Sequence, residues 1–227
     1  MRARLISHSQ PSFRVHSGET MHGLDNIQDL IAYCARVSNP SNQYNSKTSK
    51  KLLKYLMQHK HWSPFEMASA CMEVTTTRDI ARQLLRHRSF SFQEFSQRYA
   101  DPTEDLEFVH REARLQDPKN RQNSIEVDDD YLHKAWWLKQ DMIIHEAKMA
   151  YKWAIENGIA KEQARAVLPE GCTVSKLYVN GTIRSWIHYI ELRSDNGTQK
   201  EHIELAREIG IAISRIFPVI EEIGSEE

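Results

Sequence analysis

Apolar and polar positions along this chain change period several times, and each change marks an element. Ala68, Ala70, Met72 and Val74 alternate with Ser69, Cys71, Glu73 and Thr75. That period of two is the signature of a strand with one buried face. Ahead of it, Asp25 to Val37 reads as a helix, a loop rich in Ser, Asn and Pro runs to Ser46, and Ser49 to His59 reads as a second helix. After it, Thr76 or Thr77 can cap a helix that carries Arg78, Arg82 and Arg86 four apart on one face. Phe90 and Phe92, with polar residues between, suggest an extended segment leaving that helix.

The stretch from Asp101 to Glu126 is dense in charge and holds Pro102 and Pro118, so it reads as a loop with a short strand near Phe108. Asp128, Asp129 and Asp130 then suit a helix N-terminus. Leu132, Trp136, Ile143, Ala147, Ala150 and Ala154 repeat at helical spacing until Asn157-Gly158 stops them. A short helix from Lys161 to Leu168 ends at Pro169, and Thr173 to Val179 looks like another strand. Two final helices, about Ile183 to Leu192 and Gln199 to Phe217, close the pattern, and the acidic tail Glu221 to Glu227 is expected to fray. The fold class is therefore mixed α and β (α+β), without regular βαβ alternation.

Composition narrows the function classes. A chain of 227 residues predicts a single domain over 1–227, with room for a helical lobe. Its formal net charge of −1 argues against a general nucleic-acid or anionic-membrane binder. No apolar run approaches the roughly 18 residues that span a bilayer. The start, MRARLISHSQPSF, lacks the apolar core and cleavage site of a signal peptide. Cys34, Cys71 and Cys172 are far apart and odd in number, which fits reduced thiols in a cytoplasm. Neither a G-x-G-x-x-G nor a G-x-x-x-x-G-K-[ST] loop is present.

The positive charge is local. From Arg78 to Arg98 there are five arginines (78, 82, 86, 88 and 98) against two acids, Asp79 and Glu94. The arginine stripe has no acids four residues away to neutralise it, and Ser89, Ser91, Gln93 and Ser96 follow directly. A guanidinium presents a planar fork of donors that meets phosphate or carboxylate two bonds at a time. Such a cluster suits a small, multiply anionic ligand, although an arbitrary R-H-R is more often a solvated helix end.

Other candidates carry less. His59 and His61 form an H-x-H, but a metal needs three or four ligands and only His87 is a conceivable third. Packing histidines are the better reading, so no metal is expected. Cys172 has no histidine placed beside it by sequence, and Ser96 lies in no G-x-S-x-G elbow. Trp136, Trp153 and Trp186 on helical faces suit a core or an interface. A phosphate- or nucleic-acid-binding module and a metal-dependent hydrolase on His59, His61 and His87 stay open as alternatives.

One resemblance goes further. Arg86 to Tyr99, RHRSFSFQEFSQRY, resembles the R-H-R-x-x-S-x-N-E-x-S-x-R-Y signature of the flavin-dependent thymidylate synthases, with Gln93 in place of Asn. His61 to Glu66 is similar to that family's H-x-[ST]-P-F-E segment, Ala35 to Ser38 to its A-R-V-S, Glu162 to Pro169 to its E-x-A-R-x-[VL]-L-P helix, and Ile190 to Arg193 to its late arginine. These blocks keep the family order over roughly 30–213.

The resemblance implies a largely antiparallel mixed sheet flanked by helices, assembled as a homotetramer with FAD between subunits. It implies conversion of dUMP to dTMP, with methylenetetrahydrofolate as carbon donor and NADPH as reductant. By position, Ser63, Arg86, His87, Arg88, Glu94, Asn180, Arg184 and His188 would hold FAD. Gln83, Arg86, Glu94, Phe95, Ser96, Gln97, Arg98, Arg165 and Arg193 would hold dUMP, with Arg193 polarising the uracil. Gly197 stands where some members have a histidine.

Overall fold

The computed structural model describes residues 1–12, 15–17, 20–22 and 24–222, with side chains described for 1–12 and 24–220. In chain order the elements are β1 (Arg2–His8), β2 (Val15–Ser17), β3 (Thr20–His22), α1 (Ile27–Ala35), α2 (Ser49–Gln58), β4 (Ser69–Thr77), α3 (Arg78–Leu84) and β5 (Phe90–Glu94). There follow α4 (Pro102–Asp105), β6 (Arg114–Gln116), β7 (Ser124–Glu126), α5 (Asp130–Glu156), α6 (Lys161–Ala164), β8 (Val174–Thr182), α7 (Ile183–Ser194) and α8 (Lys200–Ser214).

The main sheet has the order β1-β4-β8-β5, and every pairing in it is antiparallel. β4 and β8 pair along their full length, from Ser69 opposite Thr182 to Thr77 opposite Val174. Their alternation buries Ala70, Met72, Val74, Leu177 and Val179 against α1, α7 and α8, where Ile31, Trp186, Ile187, Leu205 and Ile209 complete the core. Each fully buried aliphatic or aromatic side chain contributes roughly 1.5–3 kcal/mol of transfer free energy. Trp186 also donates its indole N–H to the Ala70 carbonyl at 3.0 Å, so its one polar atom is satisfied inside that core. A smaller cluster of Tyr151, Ala154, Ala164 and Leu168 ties the end of α5 to α6, the expected helical lobe. No helix among the described residues is long and apolar enough to cross a membrane.

Several expectations change. β1 was not anticipated: Ala3 and Leu5 point inward, but a register shift between Leu5 and Ser7 interrupts the alternation that would announce it. The stretch from Asp101 to Glu126 does place Phe108 in a bridge to Thr173, but also forms the β6–β7 hairpin. The sequence hides that hairpin because neither of its faces is buried. α3 ends at Leu84, which leaves Arg86 in the following turn and off the helix face shared by Arg78 and Arg82. β8 continues past Val179 to Thr182, so Asn180 is a strand residue.

On α5 the buried stripe is Gln140, Ile144, Ala147, Tyr151 and Ala154, while Trp136, Ile143 and Ala150 are exposed. Gln140 holds this register by clasping Arg111, accepting from its backbone N–H at 2.7 Å and donating to its carbonyl at 2.9 Å. The acidic tail from residue 223 lies outside the described residues.

Candidate active site

The turn after α3 presents the R-H-R triplet, and its three side chains diverge in environment. Arg86 and Arg88 are exposed, and among the described residues neither side chain has an acid or hydrogen-bond partner. His87 folds inward instead. Its Nε2 accepts from Arg193 Nε at 3.0 Å, and its ring stands edge-on to Tyr189 with centroids 5.0 Å apart. Burial, and then the charge of Arg193, push the His87 imidazole down to about 4. It is therefore neutral at working pH, and Arg193 is the cation of the pair.

The other arginines of the cluster are neutralised by acids distant in sequence. Arg78 Nη1 lies 3.5 Å from Glu94, Arg82 pairs with Glu170, and Arg98 Nη2 lies 3.1 Å from Glu162. The expectation of an unneutralised stripe fails at Arg78 and Arg82 and holds at Arg86, and Arg88 is likewise without an acid among the described residues. These last two are where a polyanion would find unspent donors.

α7 gathers further candidates. Arg184 pairs with Glu66, and His188 packs edge-on to Trp62 at 4.5 Å. These two contacts bring the turn bearing the exposed Ser63 beside the first half of α7. Burial and the Arg184 charge lower the His188 imidazole. Asn180 projects from the sheet face opposite the core, level with Ser91 of β5.

The candidate dUMP residues fall into two groups. Gln83 and Arg193 are joined through the turn, α7 and α8, with the candidate FAD residue His87 bonded to Arg193. The second group lies at the far end of β5. Glu94 accepts from Ser175 Oγ at 2.8 Å, and Phe95 N–H donates to the Lys176 carbonyl at 2.8 Å. Arg165 Nε donates to the carbonyl of Glu162, the residue that also pairs with Arg98. Gln97 is buried, and its Nε2 has no partner among the described residues. An orphaned buried donor of this kind fits a ligand acceptor. Arg78, which opens the helix carrying Gln83, meets Glu94, so α3 reaches both groups.

The structure adds residues that no motif marked. Tyr189, Gln199, Glu201 and His202 form a hydrogen-bonded chain behind Gln83, anchored on Arg111 and Arg114. In the sequence, Glu201 and His202 are ordinary residues of an amphipathic helix's first turn, so nothing there singled them out.

The metal-dependent alternative receives no matching geometry among the described residues. His59 is stacked on Tyr55 with centroids 3.9 Å apart and bonds the Tyr55 carbonyl, while His87 is engaged with Arg193. Among the described residues, no group of three or more His, Cys, Asp or Glu is placed to hold a metal ion. Burial pushes the Cys172 thiol up, away from a reactive thiolate.

Comparison with known proteins agrees with the motif. The family model for thymidylate synthase complementing protein matches residues 19–219. A probable flavin-dependent thymidylate synthase of Paramecium bursaria Chlorella virus 1 is 49% identical over 97% of each chain. A flavin-dependent thymidylate synthase of Synechocystis is 46% identical over 96% of this chain and 94% of its own. Among solved structures, the UMP/dUMP methylase PolB of Streptomyces cacaoi, crystallised with 5-Br dUMP, superposes with a TM-score of 0.76 at 26% identity, covering 97% of this chain and 92% of that one. With 49% identity across 97% of both chains, and an R-H-R turn whose outer arginines stand unpaired, this chain belongs to the flavin-dependent thymidylate synthase family.

Proposed function

We infer that this chain converts dUMP to dTMP, with FAD as its cofactor, NADPH as reductant and methylenetetrahydrofolate as carbon donor. The observation that carries the reading is the contrast within one arginine cluster: Arg86 and Arg88 unpaired, Arg78, Arg82 and Arg98 neutralised. Arg86, Arg88, Ser63, Asn180, Arg184 and His188 would hold FAD, which when bound supplies the hydride chemistry.

Each bidentate arginine–phosphate contact is a charge-assisted hydrogen bond, worth roughly 1.5–3 kcal/mol net. Arg193 spends its Nε on His87, and its terminal nitrogens have no partner among the described residues. Those nitrogens would meet the uracil edge and stabilise negative charge as it develops there, as an oxyanion hole does for a carbonyl. Neutral His87 holds the Arg193 side chain in place without competing for the anion. Ser96 serves as a binding residue, alongside Glu94, Phe95, Gln97, Arg98 and Arg165.

A site completed by a second copy of the chain is the arrangement the family resemblance implies. α5 supports this self-association. Tyr131, Leu138, Met142, Met149 and Trp153 are exposed by 53–82% and recur at helical spacing. At 100° per residue they fall within about 60° of one another, opposite the buried stripe and along about 33 Å of helix. An apolar stripe of that length suits a homotetramer, the assembly the family resemblance implies. Three free cysteines fit the cytoplasm as its place of action.

The deciding test is direct. Purified protein should bind FAD with the absorbance band near about 450 nm usual for flavoenzymes. It should form dTMP from dUMP only when NADPH and methylenetetrahydrofolate are both supplied. A protein that takes up no FAD and forms no dTMP overturns the assignment.

A further inference from the structure

His202 is 0% exposed, in the first turn of α8, and its environment fixes more than packing. Its Nδ1 lies 3.1 Å from Gln83 Oε1 and its Nε2 lies 3.1 Å from the Tyr189 hydroxyl. The direction of every bond in this chain follows from its far end. Glu201 is a carboxylate held by Arg111 and Arg114, so it can only accept. Gln199 must therefore turn its Nε2 to Glu201 Oε2, at 2.9 Å, and its Oε1 to Gln83. Gln83 then donates Nε2 to Gln199 Oε1 at 2.9 Å, and its own Oε1 is left facing His202. Only a protonated Nδ1 can satisfy that oxygen. In a neutral ring Nε2 is then a lone pair, and the Tyr189 hydroxyl must donate to it.

We propose that His202, as the neutral Nδ1–H tautomer, is a positioning residue that locks the Gln83 amide in one orientation and so fixes the donor and acceptor that Gln83 shows to dUMP. This rests on reading Gln83 as a dUMP contact. Both remaining hydrogen-bonding sites of that amide, one N–H and one lone pair, then point in set directions, and a flipped amide would face donor to donor at His202. The charged groups around the ring favour its neutral state. Burial, then the charge of Arg193, pushes the His202 imidazole down to about 3. Glu201 is held as a carboxylate at about 2, against burial, by the bonds from Arg114, its own backbone N–H and Gln199 and by the charge of Arg111, and its negative charge is offset by those two arginines.

The test has two arms on the FAD-loaded enzyme. In histidine-labelled wild type, solid-state ¹⁵N spectra should show one ring, absent from His202→Asn, that stays a neutral Nδ1–H tautomer from about pH 8 to about pH 5.5. An Nε2–H or protonated ring at that position overturns the proposal. In calorimetric titration with dUMP, His202→Leu should bind about tenfold more weakly with FAD content unchanged, and His202→Asn, whose amide N–H replaces Nδ1–H, should return to within about twofold of wild type. Unchanged affinity in His202→Leu, or no recovery in folded His202→Asn, overturns the role. Gln83→Leu separates the two levels. Wild-type dUMP affinity in that variant refutes Gln83 as a contact, and a weakened Gln83→Leu beside an unaltered His202→Leu refutes His202 alone.

Discussion

Arg193 and His87 set the chemistry at the smallest scale. They lie 106 positions apart in the chain, and only the fold shows that one neutral imidazole holds one guanidinium. Arg193→Ala should retain FAD, because Ser63, Arg86, Arg88, Asn180, Arg184 and His188 make no bond to it among the described residues, and should lose dTMP formation by about a hundredfold or more, the usual effect of removing a donor that stabilises developing charge. Steady-state turnover on flavin-loaded protein checks this, and near wild-type turnover would remove Arg193 from the mechanism. The same cluster makes the fold acid-sensitive. His87 and His202 take up protons near their ordinary 6.5 when unfolded, but only at about 4 and about 3 when folded. The unfolded state therefore binds more protons below pH 6.5, and stability is full above that value and declines as pH falls towards the folded values. Each histidine contributes a slope of about 1 kcal/mol per pH unit in that window. Denaturant midpoints at pH 7 and 5.5 should show this loss, with a shallower slope in His202→Asn; a flat profile would mean that the folded rings take up protons as readily as the unfolded ones.

The elements show which patterns a sequence can carry. β4 was legible because Ala70, Met72 and Val74 bury one unbroken face, and α5 was legible as a helix because its caps and spacing agree. Its buried face was not. Apolar residues occupy both sides, so Ile143 looked like core while Gln140, a polar residue paying for its burial with bonds to Arg111, is the true inward position. The motif arginines show the same limit: Glu162 and Glu170, the acids that meet Arg98 and Arg82, lie 64 and 88 positions away. The close approach of β5 and β8 at Gly181 was equally hidden, although Gly181 adjoins the candidate residue Asn180. A Cβ at Gly181 would run into the ring of Phe90, which is itself wedged against Trp186 at 4.4 Å between centroids. Gly181→Ala should therefore destabilise the fold by about 1–3 kcal/mol, the usual cost of overpacking. Adding Phe90→Leu should cost less in that background than in wild type, since the two changes share one contact. Chemical denaturation of the four proteins measures the coupling, and strict additivity would show that the ring moves aside freely.

At the scale of the whole molecule, the candidate dUMP residues come from several elements of one chain. Gln83 shares α3 with Arg78, which meets Glu94, while Arg98 pairs with Glu162 and Arg193 bonds His87. The sequence places Glu94 and Arg98 in one motif, with Gln83 just ahead of it and Arg193 far downstream. A site shared between copies, which the family resemblance implies, needs something that brings chains together, and the exposed stripe of α5 is the apolar surface suited to that. Its residues are ordinary helix formers to a periodicity argument, and the tryptophans could equally have filled a core. Replacing Met142 and Trp153, exposed by 61% and 60%, with glutamate should leave the chain folded, because both side chains point away from Ile144, Ala147 and Tyr151. Sedimentation should then show smaller assemblies than wild type, and dUMP binding should fall together with assembly, since half of each site would be missing. Two results would count against a shared site: an unchanged assembly, or a dissociated chain that still binds dUMP as the wild type does.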